Sequence, residues 1–172
     1  MKVYLIRHSE PTYQQVTTAG LTGFGRELGG LTDRGIMLAQ QCAQQPLFAQ
    51  VQLILSSPYT RALQTALEIV RFNDIPLKVD LGLHEWLPDN TGSRTDIDEQ
   101  AATAYKLYRQ HAGKRTIASP LPYESAAEMK TRVLATLNKY AASYDCIACV
   151  TRQFGDQKDV DYCGVRVIGL IR

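Results

Sequence analysis

Arg7 and His8 stand side by side where the apolar run Lys2 to Ile6 stops. A guanidinium beside an imidazole at a strand end offers an anion clamp and a nucleophile in one place. Ligands of α/β sheets bind beyond the carboxyl ends of the strands, so this is where chemistry is expected. Two other strand ends carry matching groups. Ser56-Ser57 closes a second apolar run with Arg61 one helical turn further on, and His84-Glu85 follows a third. If the strands are parallel, these groups share one edge of the sheet. Two arginines, a histidine, a helix start capped at Ser57 and a carboxylate suit a phosphate, whose oxygens accept from guanidinium forks and free backbone N–H groups. Glu85 beside it would act as proton donor.

The elements that must position these residues are legible as an alternation. Strands are expected at Lys2 to Ile6, Gln52 to Leu55, Leu77 to Asp80, Cys146 to Val150 and Val165 to Ile171, mostly continuous apolar runs of the kind buried on both faces. A helix is expected from Thr32 to Gln45, with Ile36, Ala39, Ala43 and Leu47 at helical spacing and Pro46 ending it. Ser57-Pro58 reads as an N-cap followed by proline at the first helical position, opening a helix through Phe72 that buries Leu63, Leu67 and Val70. Ser125 and Glu128 form a capping box ahead of an apolar stripe at Met129, Val133, Leu137 and Tyr140. Ser9 to Leu31 and Pro88 to Asp96 should be loops; the glycines of the former lack the order of a dinucleotide-binding loop. The expected architecture is a three-layer α/β/α sandwich with a mostly parallel central sheet, a single domain over residues 1–172.

Composition narrows the function classes. Apolar residues make up 45% and charged residues 21% of the 172, and a net charge of +2 carries no nucleic-acid or membrane footprint. The chain enters a strand at once, without a signal segment or a membrane-length apolar run, so a soluble cytoplasmic protein is expected. Cys146 and Cys149 form a CxxC, but both fall within a strand that points them to opposite faces, with no second pair or nearby histidine to complete a zinc site. The four cysteines read as buried and reduced, and no metal is expected.

Taken together, these residues resemble the histidine phosphatase superfamily, the phosphoglycerate mutase-like family. Arg7-His8 stands where the family has Arg-His-Gly, and Leu31-Thr32 with Gly35 resembles its Leu-Thr-x-x-Gly helix start. Ser56-Ser57-Pro58 through Arg61-Ala62 resembles its second arginine motif, Leu83 to Trp86 the segment holding the acid, and Glu124-Ser125 the opening of a late helix. The resemblance implies a phosphoglycerate mutase-like fold and a phosphomonoesterase acting on a small or medium phosphorylated substrate, without cofactor. His8, as neutral imidazole, would carry the phosphoryl group as a phosphohistidine. Arg7 and Arg61 would bind the phosphate oxygens, and Glu85 would protonate the leaving group with a pKa raised towards neutrality.

The chain departs from the family pattern at one decisive place. A second histidine normally follows the fourth strand; here Cys149-Val150-Thr151 leads into Arg152-Gln153, leaving only His84 and His111 as other histidines. Arg152 supplies a cation for phosphate, but a guanidinium cannot shuttle a proton, so slowed turnover is expected. The alternative is a catalytically silent relative that binds phosphate or a phosphorylated ligand; mutase chemistry is less favoured, because the chain lacks longer insertions. Ser9 replaces the signature glycine and would narrow the pocket or alter the turn. Between Arg152 and Val165 there is room for two turns of helix, weakened by Gly155. Trp86 is expected as a partly buried anchor, and Tyr13, Phe24, Arg94, Tyr105 and Arg109 as residues able to face a substrate.

Overall fold

The computed structural model of the chain describes residues 1–92, 97–117, 119–152 and 160–170. Five strands, β1 (Lys2–Arg7), β2 (Leu53–Ser56), β3 (Leu77–Val79), β4 (Cys146–Thr151) and β5 (Val165–Gly169), form one sheet in the order β3-β2-β4-β1-β5. All neighbours are parallel except β5, which runs antiparallel to β1. Helices α1 (Gln14–Thr18), α2 (Asp33–Ala43), α3 (Thr60–Asn73), α4 (Ile97–Gln110) and α5 (Ala126–Ala141) complete an α/β fold around this mostly parallel sheet. The expected helix between Arg152 and Val165 falls largely on 153–159, outside the described residues.

The central strands are buried on both faces, as their unbroken apolar runs require. Tyr4, Ile6, Ile54, Ala148 and Val150 join Ala39, Ala43, Ala62, Ala66 and Ile69 of α2 and α3 in one core. Val3, Leu53, Leu55, Ile147 and Cys149 meet Met129, Val133 and Leu137 of α5 in the other. Side chains alternate along a strand, so Cys146 and Cys149 end in different cores, as their spacing predicts. All four cysteines are free and buried.

Helix starts carry the site. Thr32 caps α2 by accepting from the Gly35 amide at 2.8 Å, and the capping box of Ser125 and Glu128 opens α5. Gly35 has to be glycine, because a Cβ there would stand 2.3 Å from the Glu10 carbonyl oxygen. The expected cap at Ser57 is corrected: α3 begins at Thr60, after Tyr59, with no side-chain cap. The Ser57 amide still bonds the Val150 carbonyl as an extension of the sheet, so the chain turns before it can coil. The buried stripe of α3 is Ala62, Thr65, Ala66 and Ile69 rather than Leu63, Leu67 and Val70; Leu67 is 38% exposed. Small residues let α3 approach the sheet, and the larger ones flank the contact. The stretch expected as loop from Ser9 to Leu31 holds α1 and a 3₁₀ turn, Gly23–Leu28.

Candidate active site

His8 is the first residue past β1, and its amide extends the β1–β4 ladder by donating to the Thr151 carbonyl at 2.9 Å. Its ring is 4% exposed and packs Nδ1 against the Ser9 carbonyl oxygen at 2.7 Å. A carbonyl can only accept, so Nδ1 carries hydrogen and Nε2 is the atom turned to the site. Ser9 fixes this turn: its amide donates to Thr65 Oγ1 and its hydroxyl to the Gly35 carbonyl at 2.6 Å. The hydroxyl that replaces the family's glycine therefore points at α2. It does not narrow the pocket; it ties the residue after the histidine to two helices.

Glu85 faces His8, with Oε1 3.5 Å from Nε2. Arg61, in the first turn of α3 and 2% exposed, holds the same Oε1 through Nη2 at 2.7 Å and Nε at 3.1 Å. Arg152, just past β4, reaches Oε2 through Nη1 at 3.3 Å. The ends of β1, β2 and β4 thus converge on one carboxylate, as the parallel order requires. Burial pushes the Glu85 carboxyl up, but the charges of Arg61 and Arg152, together with the hydrogen bond and charge that His8 supplies when its Nε2 is also protonated, outweigh it and hold the group at about 2. The expectation of a pKa raised towards neutrality is therefore overturned for the free site, because three cationic or donating groups surround one carboxylate.

The other expected residues are placed as follows. Arg7 donates Nη1 to the Val160 carbonyl and lays its guanidinium 4.6 Å from the Tyr162 ring centre, facing the 160–164 segment and sharing a small cavity with Arg152. Ser57 is fully buried, its Oγ 3.4 Å from the Tyr59 amide. His84 turns Nδ1 to the Glu85 carbonyl at 2.6 Å, and His111 is exposed after α4, so neither stands in for the second histidine. Tyr13 lies 5.9 Å from the Arg61 guanidinium; Phe24 is 52% exposed, and Tyr105 and Arg109 are exposed on α4. Arg94 lies outside the described residues. Trp86 is a half-buried anchor against Tyr105, Tyr108 and Tyr123, donating Nε1 to the Glu124 carbonyl.

Sequence reasoning missed two parts of the site. Glu27, on the Gly23–Leu28 turn, bonds Arg61 Nη2 at 2.6 Å, and burial raises its pKa against the pull of Arg61. Nothing in a glycine-rich stretch marks it. Arg132 of α5 forks onto Glu124 with two 2.8 Å bonds and donates Nη1 to the Gly82 and His84 carbonyls at 2.8 and 3.0 Å. With Thr151 Oγ1 donating to the Leu83 carbonyl, this grips the backbone on the N-terminal side of Glu85. Among the described residues, Arg61 Nη1 and Arg7 Nε are buried donors without an acceptor, which suits an anion site.

Comparison with known proteins identifies the family and the fold. The sequence profile of the histidine phosphatase superfamily (branch 1) matches residues 3–153. The chain belongs to this superfamily. Among solved structures it is similar to the alpha-ribazole phosphatase of Shigella flexneri, with 26% identity and a TM-score of 0.56 over 89% of this chain and 74% of that one. A mycobacterial glucosyl-3-phosphoglycerate phosphatase solved with vanadate shares the fold at 21% identity, TM-score 0.62, over 88% of this chain and 74% of that one. Bacillus stearothermophilus YhfR does so at 16% identity and TM-score 0.69, over 99% of this chain and 91% of that one. No curated protein sequence matches. No helix among the described residues is long and apolar enough to cross a membrane.

Proposed function

We propose that this histidine phosphatase family member hydrolyses small or medium phosphomonoesters through a phosphohistidine on His8, slowly. The observation that carries the reading is His8 Nε2 turned towards Glu85 beside a buried arginine, Arg61, with an unused donor. Nε2 attacks phosphorus in line, the N–P bond forms and the bond to the leaving oxygen breaks. Arg61, Arg152 and Arg7 take the non-bridging oxygens, with Ser57, buried ahead of α3, as a further phosphate-binding group. Glu85 gives its proton to the leaving alkoxide and then takes one from the water that cleaves the N–P bond.

This asks Glu85 to be protonated when substrate is bound, against a free-site value of about 2. A phosphate dianion supplies the change. It draws the arginine donors from the carboxylate and sets like charge beside it, and both effects raise the pKa. The test is hydrolysis of an aryl phosphate together with trapping of an acid-labile phosphoryl label. His8→Ala should abolish both, and full activity in that variant would end the proposal.

One observation favours a second reading, a silent phosphate- or phospholigand-binding protein. Arg61 and Arg152 already hold Glu85 as a carboxylate, and no imidazole stands where Arg152 does. That reading expects thermal stabilisation by phosphate with no hydrolysis. Mutase-type transfer has no comparable support. Two cores on one shared sheet support a single domain over residues 1–172, and four free thiols suit the reducing cytoplasm.

A further inference from the structure

A cleft opens beside the Arg61–Glu85 pair, between the Gly23–Leu28 turn and the segment that follows Glu85. Its walls are Phe24, Tyr59, Trp86, Leu87 and Pro88, and Glu27 forms part of its lining. It adjoins the reacting groups through three of its lining residues. Glu27 is bonded to Arg61, the Tyr59 ring centre is 5.1 Å from the Arg61 guanidinium, and Trp86 is the residue after Glu85. Asp89 also lines the cleft, with its Oδ1 accepting from the Thr91 amide and hydroxyl. Among the described residues, no lining side chain is cationic.

We infer that this cleft receives the leaving group of the substrate, and that Glu27 selects flat apolar or cationic leaving groups against those carrying a second anion. The inference rests on the phosphatase reading and gives it a substrate class. Three aromatic side chains supply faces and edges for a planar ring. A phosphate on Arg61 consumes the cation that neutralises Glu27 in the free protein. A carboxylate or second phosphate in the cleft would then meet Glu27 with no cation from the lining to offset it, whereas an ammonium would be attracted.

The test compares phenyl phosphate, 4-carboxyphenyl phosphate and 4-(aminomethyl)phenyl phosphate by kcat/KM at low salt and mildly alkaline pH. The wild-type protein should favour the aminomethyl over the carboxy ester by about tenfold or more. In Glu27→Gln that ratio should fall about threefold or more, with Asp89 carrying what remains of the preference. Leaving-group acidity acts equally on both proteins, and a folding defect lowers all three rates alike, so the change in ratio isolates the charge. An unchanged ratio, or a wild-type preference for the carboxy ester, overturns the inference. Phe24→Ala, at an exposed side chain, gives an independent check: KM should rise for phenyl phosphate but not for ethyl phosphate, and an equal change in both removes the aromatic wall from the account. If no ester is hydrolysed, the phosphatase reading fails separately, and calorimetric affinities of the same three esters decide the cleft. The same order of preference supports it, and equal affinities overturn it.

Discussion

Arg152 Nη1 lies 3.3 Å from Glu85 Oε2, the carboxylate oxygen that Arg61 leaves open. Arg152 thus adds to the charges that keep the candidate acid ionised. Arg152→His should relieve this in two ways: it removes a fixed positive charge from Glu85, and it places a group able to share a proton beside the phosphate. The kcat for an aryl phosphate should rise about tenfold or more, in line with the weight of a single donor at such a site. Unchanged or lower turnover would mean that Arg152 does not limit the reaction.

Glu85 also makes folding sensitive to acid. Its folded value of about 2 lies below an ordinary glutamate's 4.5, so the unfolded chain takes up the proton first. The stabilisation is complete above about pH 4.5 and is lost as the pH falls through about 2, amounting to about 3 kcal/mol for a shift of this size. Urea midpoints at neutral pH and at about pH 3 measure it, since more than half of the effect should be gone at the lower value. Glu85→Gln should flatten that part of the profile. A wild-type slope retained in the variant would assign the acid sensitivity to other carboxylates.

The two-sided core and the convergence of three strand ends were readable because unbroken apolar runs and strand termini are local signals. Arg61 was visible for the same reason, sitting one turn past a strand. The start of α3 was misread because Ser57-Pro58 has the chemistry of a cap while the sheet claims the Ser57 amide. Glu27 and Arg132 were not legible at all. Each reaches the site from an element distant in sequence, and only the folded chain brings Glu27 to Arg61 and Arg132 to the Gly82 carbonyl. The Glu85 pKa differs for a related reason: the raised value was implied by the role of the acid in the family, and the partners that lower it come from three separate elements.

Arg132 is a positioning residue, and its replacement should show it. The side chain joins Glu124, itself 3% exposed, to two carbonyls just before Glu85. Lysine keeps the charge but not the fork. Arg132→Lys should cost about 2 to 3 kcal/mol in stability, towards the low end for a broken buried pair because lysine retains a partial contact. It should also lower kcat for an aryl phosphate while the affinity for inorganic phosphate, set by Arg61 and its neighbours, stays near wild type. Equal losses in kcat and phosphate affinity would instead indicate general unfolding.

Gly82 supplies the last handle on Glu85. A Cβ at this position would stand 1.8 Å from Thr136 Oγ1 and 3.0 Å from Thr136 Cβ, and the Thr136 side chain is 2% exposed on α5. Gly82→Ala must therefore push the Leu81–Leu83 turn away from α5, carrying with it the carbonyl that Arg132 holds. The expected cost is about 1 to 3 kcal/mol, typical of overpacking a close contact. Thr136→Ala removes the 1.8 Å contact and leaves tight ones of 3.0 Å to the Cβ of residue 136 and 3.2 Å to Asp80 Oδ1, so Gly82→Ala with Thr136→Ala should be more stable than Gly82→Ala alone. A double-mutant cycle on urea midpoints reads the coupling directly. Strictly additive effects would show that the turn does not bear on α5 through this pair, and the turn ahead of Glu85 would then be held by the Arg132 and Thr151 tethers.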